Sequence, residues 1–568
     1  MDRSSAIQRF VRLVEIRRDG DTDIQSHITK DTRPLPPSRR TYGPWTFVGL
    51  WMVTGSFNVN GWATGSSVIS LGLNVWQAIL AIIIGNAILG LCCVLFGAPG
   101  AKWHIAFPQW MRQIFGIRGY MVPMLVRIFL SFVWIATNCW YGGQCLKVFL
   151  LCIWPSFANL KTELASGTMM TSDFVAFLLF VLSCLPLMWF SPERYKIPFL
   201  IGSTTVATAM VVLLIWAVVR ADGGGALLAD TSAAAGIEPA KGAKLGWAFV
   251  SATVAIIGSS ATHMFSQSDY TRYARKPGDQ VLAQAVMVPL GGIGVATIGI
   301  LCTSCAYTLY PQLEKLPWNP YNFLNAVRMY EDSQGARAGV AFASLAFVMS
   351  QWGIVIAANA VVGGIDLAAV WPRWITLRRG GYLTILGAFI MQPWSLLNGA
   401  SDFLTVVGSF SVFLGPFMGI FFVDYYLLRK RTIKLMELYE ESPKSLYWYV
   451  GGFNWRAVIA WPAGFWFLLP GLAQRATDPG AVWAGWTRLY NLAWFLGFSV
   501  AGLTYLLLAL ISPMRELCAV DDEDYFGTFD DRVLSGKEPS EDGSPTELQS
   551  TVDAKSAFGQ QVTADGSV

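Results

Sequence analysis

The sequence predicts an all-α polytopic membrane protein of twelve transmembrane helices, built as two inverted five-helix repeats with two further helices appended. Three observations carry that expectation. The chain is 54% hydrophobic and only 14% charged over 568 residues, with 24 tryptophans, a balance that no ordinary soluble globule could keep in solution. Apolar runs of about 20 residues, the length that crosses a bilayer, recur along it. Two of those runs, first in their respective halves, carry glycine and polar residues at mid-depth, where freed backbone groups must line a cavity or meet a ligand.

In chain order, residues 1–44 form a tail whose first 40 residues are polar and Arg-rich and end in RPLPPSRR, without the apolar centre and small-residue cleavage site of a signal peptide. They read as a retained cytoplasmic tail with an extended, proline-rich lead-in. The transporter-sized region 45–512 follows, with crossings expected at 45–70, 75–97, 122–151, 173–190, 197–219, 246–266, 281–309, 338–365, 381–397, 403–427, 455–474 and 488–512. Basic residues gather in alternate loops, at Lys102, Arg112 and Arg118, then Arg194 and Lys196, then Arg272, Arg275 and Lys276, then Arg373, Arg378 and Arg379, then Arg429, Lys430 and Arg431. The opposite loops are poorer in them, which places both termini in the cytoplasm.

The irregular crossings are the first, with Gly55-Ser56-Phe57-Asn58-Val59-Asn60-Gly61, and the sixth, with Gly258-Ser259-Ser260 followed by Thr262-His263. Both are expected to unwind there. No residue-level repeat relates the two halves, so the inverted arrangement rests on this spacing. Residues 513–568 turn acidic and lose their apolar runs, a composition that cannot bury a core and reads as a largely disordered cytoplasmic tail. Lys537 and Lys555 there would suit trafficking or ubiquitination machinery, although a solubilising tail explains the composition equally well.

Several function classes drop out. No GxxxxGK[ST], HExxH or GxSxG pattern is present, and no paired catalytic constellation lies in the crossings, so the chain is not expected to be an enzyme. A net charge of +4 with dispersed basic residues argues against nucleic acid as a partner. The nine cysteines sit mostly in apolar runs and read as small core residues, and His27, His104 and His263 are too scattered for a metal site. No cofactor is expected. His263 alone falls in a crossing, where a histidine hydrogen-bonded near a helix break is favoured over a proton relay.

Chemistry gathers on crossing 3, where Trp140 and Gln144 stand one turn apart in NCWYGGQC and so share a helix face. Together they offer a stacking surface and a two-pronged hydrogen-bonding group, though a membrane glutamine can also simply tie helices together. Asn359, within the small-residue run AANAVVGGIDL of crossing 8, adds a second carboxamide. Two amides and an indole suit the N–H and C=O edge and the face of a flat heterocycle.

These stretches, with SQSDYTRYARKPGDQ, QPWSLLNGASDFLTVVGSFSVFLGPFMGIFFVDYYLLRKR and FNWRAVIAW, resemble the fungal nucleobase cation symporter family, in its uracil and allantoin permease (Fur-like) branch, over about residues 30–530. The resemblance implies a leucine-transporter-like fold, alternating access at the plasma membrane, and uptake of uracil, allantoin, uric acid or related compounds. It carries substrate binding to Trp140, Gln144 and Asn359, with Phe57 on the unwound part of crossing 1 and Ser260 at the place of an aromatic residue in bacterial relatives. Sodium-coupled relatives supply helix-8 hydroxyls where this chain has Gly353 and Ile354, which offer no side-chain oxygen to a hard cation, so the proton is preferred over sodium. Asp269 and Asp366 are expected in a gating ion-pair network, with Arg272, Lys276 or Arg379 as the cation. The alternatives are a thiamine or nicotinamide riboside transporter of the same family, disfavoured because a cationic ring is better served by a carboxylate or aromatic cage, and a non-transporting membrane receptor for nucleobases.

Overall fold

The structure, a computed structural model, describes residues 33–51, 57–190, 196–228, 231–232, 237–477, 483–521 and 524. Among them, nine helices are long and apolar enough to cross a membrane: Val75–Trp103, Met121–Ile153, Thr171–Trp189, Leu200–Arg220, Ala283–Leu309, Gln334–Val370, Ala400–Leu428, Trp455–Thr477 and Ala493–Ile511. These are crossings 2–5, 7, 8 and 10–12. Crossings 1, 6 and 9 are shorter pieces; crossing 6 breaks at the anticipated Gly258-Ser259-Ser260, and in crossing 1 the described part of the anticipated stretch that is not helical is Phe57 and Asn58. Crossing 1 comprises Pro44–Gly49 and Val59–Ser67, and crossing 6 comprises Ala243–Ser259, Ala261–Phe265 and Gln267–Thr271. Gly55 and Ser56, read as part of the first break, lie outside the described residues.

Crossing 9 differs from its expected span of 381–397, because its helix is Leu377–Gly387 and a separate short helix, Pro393–Leu396, follows. Pro393 has no N–H to continue a helix and crowds the residue before it, and Gln392 takes a left-handed conformation with φ of 45°. Two amphipathic helices outside the crossings, Phe107–Phe115 and Pro320–Tyr330, were not anticipated. Each starts with proline in its first turn, where the missing N–H costs nothing.

Packing sorts the crossings into two layers. Crossings 1, 2, 6 and 7 contact one another, as do crossings 3, 4, 8 and 9, and crossing 5 touches crossings 7 and 8. Small residues permit the closest approaches. A Cβ on Gly65 of crossing 1 would lie 2.4 Å from the Ala296 carbonyl of crossing 7. Crossings 11 and 12 pack on crossing 10, where a Cβ on Gly419 would fall 2.0 Å from the Phe498 carbonyl.

Both ends of the described chain dock on one face. Tyr42 N–H donates to the Tyr273 carbonyl at 2.9 Å and Arg275 N–H returns the bond to Tyr42 at 3.0 Å, so the lead-in pairs with the loop after crossing 6. Beyond crossing 12, Glu516 pairs with Lys434 at 2.7 Å and Asp521 accepts from Met436 N–H at 3.1 Å. The beginning of the acidic tail is thus packed, whereas residues 1–32 and 525–568, with Lys537 and Lys555, lie outside the described residues. The same face is anchored by the fully buried Asp424, which accepts from Tyr505 at 2.7 Å and from Arg429 at 3.1 Å. Arg429 also donates to Tyr449 at 2.7 Å, and Tyr449 donates to the Gln113 carbonyl at 2.6 Å, tying crossings 10 and 12 to helix Phe107–Phe115.

Candidate substrate-binding site

The two breaks and crossings 3 and 8 enclose a cavity of about 240 Å³. On crossing 3 its wall is Arg127, Ser131, Trp134 and Asn138, which follow one another at three- and four-residue steps and so form one face. Helix resumes in crossing 1 at Asn58, whose backbone is extended and whose side chain accepts from Gly61 N–H at 2.9 Å, so the cap supplies the acceptor that a helix start lacks. Crossing 6 breaks at Ser260, with φ of −111° and ψ of 6°. Gly258 lets that break sit against crossing 10, since a Cβ there would be 2.2 Å from the Val407 carbonyl. Crossing 8 contributes through a π-helical stretch, Ile354–Ala360, inside an otherwise α-helical span. Asn359 caps that irregularity by donating its Nδ2 to the Ile354 carbonyl at 2.9 Å.

Amides dominate the polar lining. Asn60 Nδ2 donates to Asn138 Oδ1 at 2.8 Å, Asn138 Nδ2 donates to the Trp134 carbonyl at 2.8 Å, and Asn86 Nδ2 donates to the Ile82 carbonyl at 2.9 Å. Asn60 Oδ1 is buried with no partner among the described residues.

Asn359 and Ser260, both expected at the site, line this cavity. Trp140 and Gln144 do not. Trp140 is buried with its ring centroid 5.9 Å from Phe177 and 6.3 Å from Trp394, and Gln144 is buried beside it with Nε2 unpartnered among the described residues. One-turn spacing puts the two on a common face without saying which face, and Trp140 lies about 200° around the helix from Asn138. Gly142 and Gly143 let crossing 4 close over that side, for a Cβ on Gly142 would be 2.2 Å from Phe180. Phe57 is half-buried outside the lining, and its carbonyl accepts from Ser350 Oγ of crossing 8 at 3.3 Å.

The ion-pair network exists, with a different cation from those expected. Arg127 of crossing 3, 4% exposed, places Nη2 2.5 Å from Asp269 Oδ2 and Nε 2.8 Å from Asp366 Oδ2. Lys276 is exposed and its backbone N–H donates to Asp279 at 3.1 Å; Arg379 donates to the Trp374 carbonyl at 3.1 Å; and Arg272 lies over the Tyr273 ring. None of the three makes an ion pair with Asp269 or Asp366 among the described residues; the cation that does comes from inside crossing 3. The two carboxylates are not equivalent. Asp269 Oδ1 also accepts from Phe107 N–H at 2.9 Å, at the first turn of helix Phe107–Phe115, where the dipole favours an anion. Asp366 is fully buried, and neither of its oxygens has an aligned hydrogen bond among the described residues.

Arg127, Trp51, Trp134, Asn138 and His263 were missed as site residues. Arg127 had a signal, an arginine inside the apolar run MLVRIFLSF, since an intramembrane charge is a functional hypothesis by default. Trp51, Trp134 and Asn138 had none, because tryptophan is common here and the face of crossing 3 was open.

Residues 34–497 match the model of a family described as permease for cytosine/purines, uracil, thiamine and allantoin. A permease of Schizosaccharomyces pombe is 32% identical over 502 residues, covering 88% of this chain and 82% of the relative. The uridine permease of Saccharomyces cerevisiae is 30% identical over 541 residues, covering 90% and 82%. Among solved structures, that of Mhp1, a nucleobase-cation-symport-1 family transporter in a closed conformation with bromovinylhydantoin bound, superposes with a TM-score of 0.65 at 20% identity, over 86% of this chain and 97% of Mhp1.

Proposed function

The chain belongs to this family of permeases for cytosine/purines, uracil, thiamine and allantoin, and from that premise we propose that it carries uracil and related neutral heterocycles, allantoin and uric acid among them, into the cell at the plasma membrane in symport with protons, both termini being cytoplasmic. The observation that carries the cargo reading is the cavity itself. At about 240 Å³ it lies below the roughly 300–1,000 Å³ of sites for drug-sized ligands. Its lining of amides and indoles suits a flat neutral lactam better than the thiamine cation or a riboside.

The proton reading rests on a count of charges. Arg127 offers one positive charge to two carboxylates in a region away from water, and a net buried charge is costly. Asp269 has the guanidinium and a helix N-terminus; Asp366 has a contact without alignment. Asp366 is therefore the carboxylate that takes a proton, which brings the cluster to neutrality. Sodium finds less to bind, because Gly353 and Ile354 bring no side-chain oxygen and Asn359 occupies the Ile354 carbonyl.

Uptake of labelled uracil by transport-null cells expressing the chain tests both parts. The proposal expects concentrative uptake that a protonophore abolishes and that added sodium leaves unchanged. Uptake that rises with sodium and ignores the protonophore overturns the coupling, and a chain that binds uracil in vesicles without counterflow is a sensor, not a transporter.

A further inference from the structure

Crossing 6 carries a histidine that the ion-pair cluster and the amide lining leave unused. His263 lies on the short helix Ala261–Phe265 just past the break at Ser260, and its side chain lines the cavity. Its backbone carbonyl accepts from Gln267 at 3.1 Å, but among the described residues neither ring nitrogen has a hydrogen-bond partner. An imidazole that served only for packing at a helix break would be expected to bond a freed carbonyl, whereas this half-buried ring faces the cavity. Instead its ring stands edge-on to Trp51, with centroids 4.5 Å apart at 79°, and Trp51 meets Tyr270 at 5.1 Å and 78°. The result is an aromatic corner, contributed by crossings 1 and 6, in the same cavity lining as the amides of crossings 1, 2, 3 and 8.

The donor inventory indicates what that corner is for. Asn60, Asn86, Asn138 and Asn359 each spend one amide N–H on the protein, and Asn60 Oδ1 is left without a partner among the described residues, so the lining keeps an open carbonyl oxygen beside the remaining amide N–H groups. A cyclic lactam or imide presents an N–H flanked by carbonyls: the amide oxygens can take the N–H, and the carbonyls need a donor. His263 can supply one through whichever ring nitrogen carries the hydrogen, because neither is committed.

We propose that His263 is a specificity-determining residue that donates a hydrogen bond to a ring carbonyl of a neutral cyclic lactam, with the Trp51 indole as the wall beside it. This rests on the cargo reading above and assigns to crossings 1 and 6 the aromatic side of the site that Ser260 does not provide.

The test uses the full chain in transport-null cells, with surface amounts matched by a fluorescent tag and labelled uracil competed by unlabelled uracil, 2- and 4-thiouracil, allantoin, uric acid and thiamine. His263→Phe keeps a ring and removes the donor; His263→Gln keeps a donor. The Phe variant should weaken uracil by about tenfold or more, and the Gln variant should recover to within about threefold of wild type, the range expected when one buried hydrogen bond is lost and restored. Discrimination between uracil and its thiocarbonyl analogues, which accept hydrogen bonds weakly, should collapse in the Phe variant and return in the Gln variant. A Phe variant with wild-type affinity and thio-discrimination overturns the role, as does equal loss in both variants at matched surface amounts, which marks a structural histidine. If wild type is competed by thiamine and not by the lactams, the cargo reading fails first and this role falls with it.

Discussion

Arg127→Met removes the one cation that pairs with Asp366 among the described residues and is the sharpest perturbation the cluster allows. At an effective dielectric constant of about 20, a contact of 2.8 Å between unit charges is worth about 6 kcal/mol of attraction, set against several kcal/mol for taking each ion out of water. Removing one partner of a buried pair costs about 3–5 kcal/mol, because the other charge stays behind. With Asp366 protonated, as proposed, Arg127→Met strands the charge of Asp269, so its cost should fall within that range. Asp366→Asn strands nothing, since Arg127 keeps Asp269 at 2.5 Å, and its cost should stay below about 1 kcal/mol. The double variant Arg127→Met/Asp366→Asn still strands Asp269 and should recover little of the loss. Thermal unfolding of the purified proteins in one detergent gives the ranking, and the double-mutant cycle isolates the coupling. If Asp366→Asn is as damaging as Arg127→Met, or the double variant recovers most of the loss, Asp366 is ionised beside Arg127 and its proton assignment loses its basis.

Asn359→Ala should abolish labelled uracil uptake at normal surface amounts, whereas Gln144→Ala, whose side chain lies off the cavity, should cost less; equal loss would return Gln144 to the site. Gly258→Ala forces a methyl against the Val407 carbonyl and should destabilise by about 1–3 kcal/mol, the cost of overpacking, read as lowered surface delivery and an earlier melt. Lys434 and Glu516 shift each other's titration through their mutual hydrogen bond, the ammonium upward and the exposed carboxyl downward. Glu516, held below its ordinary value, contributes above the unfolded carboxyl range and loses that contribution as pH falls through its lowered value. Lys434 contributes until pH rises through its raised value, so the docked segment should be most protected from hydrogen exchange between those limits and should loosen first on acidification. Protection independent of pH on the acid side would contradict this.

Most of the architecture was legible because bilayer crossing imposes length and apolarity on a helix, and those can be counted. The breaks in crossings 1 and 6 were legible for the same reason, since glycine and serine at mid-depth have few uses in lipid. Faces were not legible. Trp140 and Gln144 share one by periodicity, but only the packing of Phe177 and Phe180 against Gly142 and Gly143 decides that it points to crossing 4. Asp269 and Asp366 were expected in an ion-pair network from their positions, while their partner was sought among Arg272, Lys276 and Arg379. Arg127 lies 142 residues from Asp269 in sequence, and only the fold brings the two together.

That fold gives the cluster a mechanical meaning. Asp269 belongs to the layer of crossings 1, 2, 6 and 7, while Arg127 and Asp366 belong to the layer of crossings 3, 4, 8 and 9. Any movement of one layer against the other at this face must part Arg127 from Asp269 and can leave Arg127 with Asp366. A proton on Asp366 removes the competitor and concentrates the guanidinium on the interlayer contact; an ionised Asp366 gives Arg127 somewhere to go when that contact opens. The latch between the layers and the proposed proton site therefore share one side chain, and Arg127 also lines the cavity. On the proposed reading, cargo, proton and layer contact meet at a single guanidinium, the arrangement that coupling between binding and movement requires.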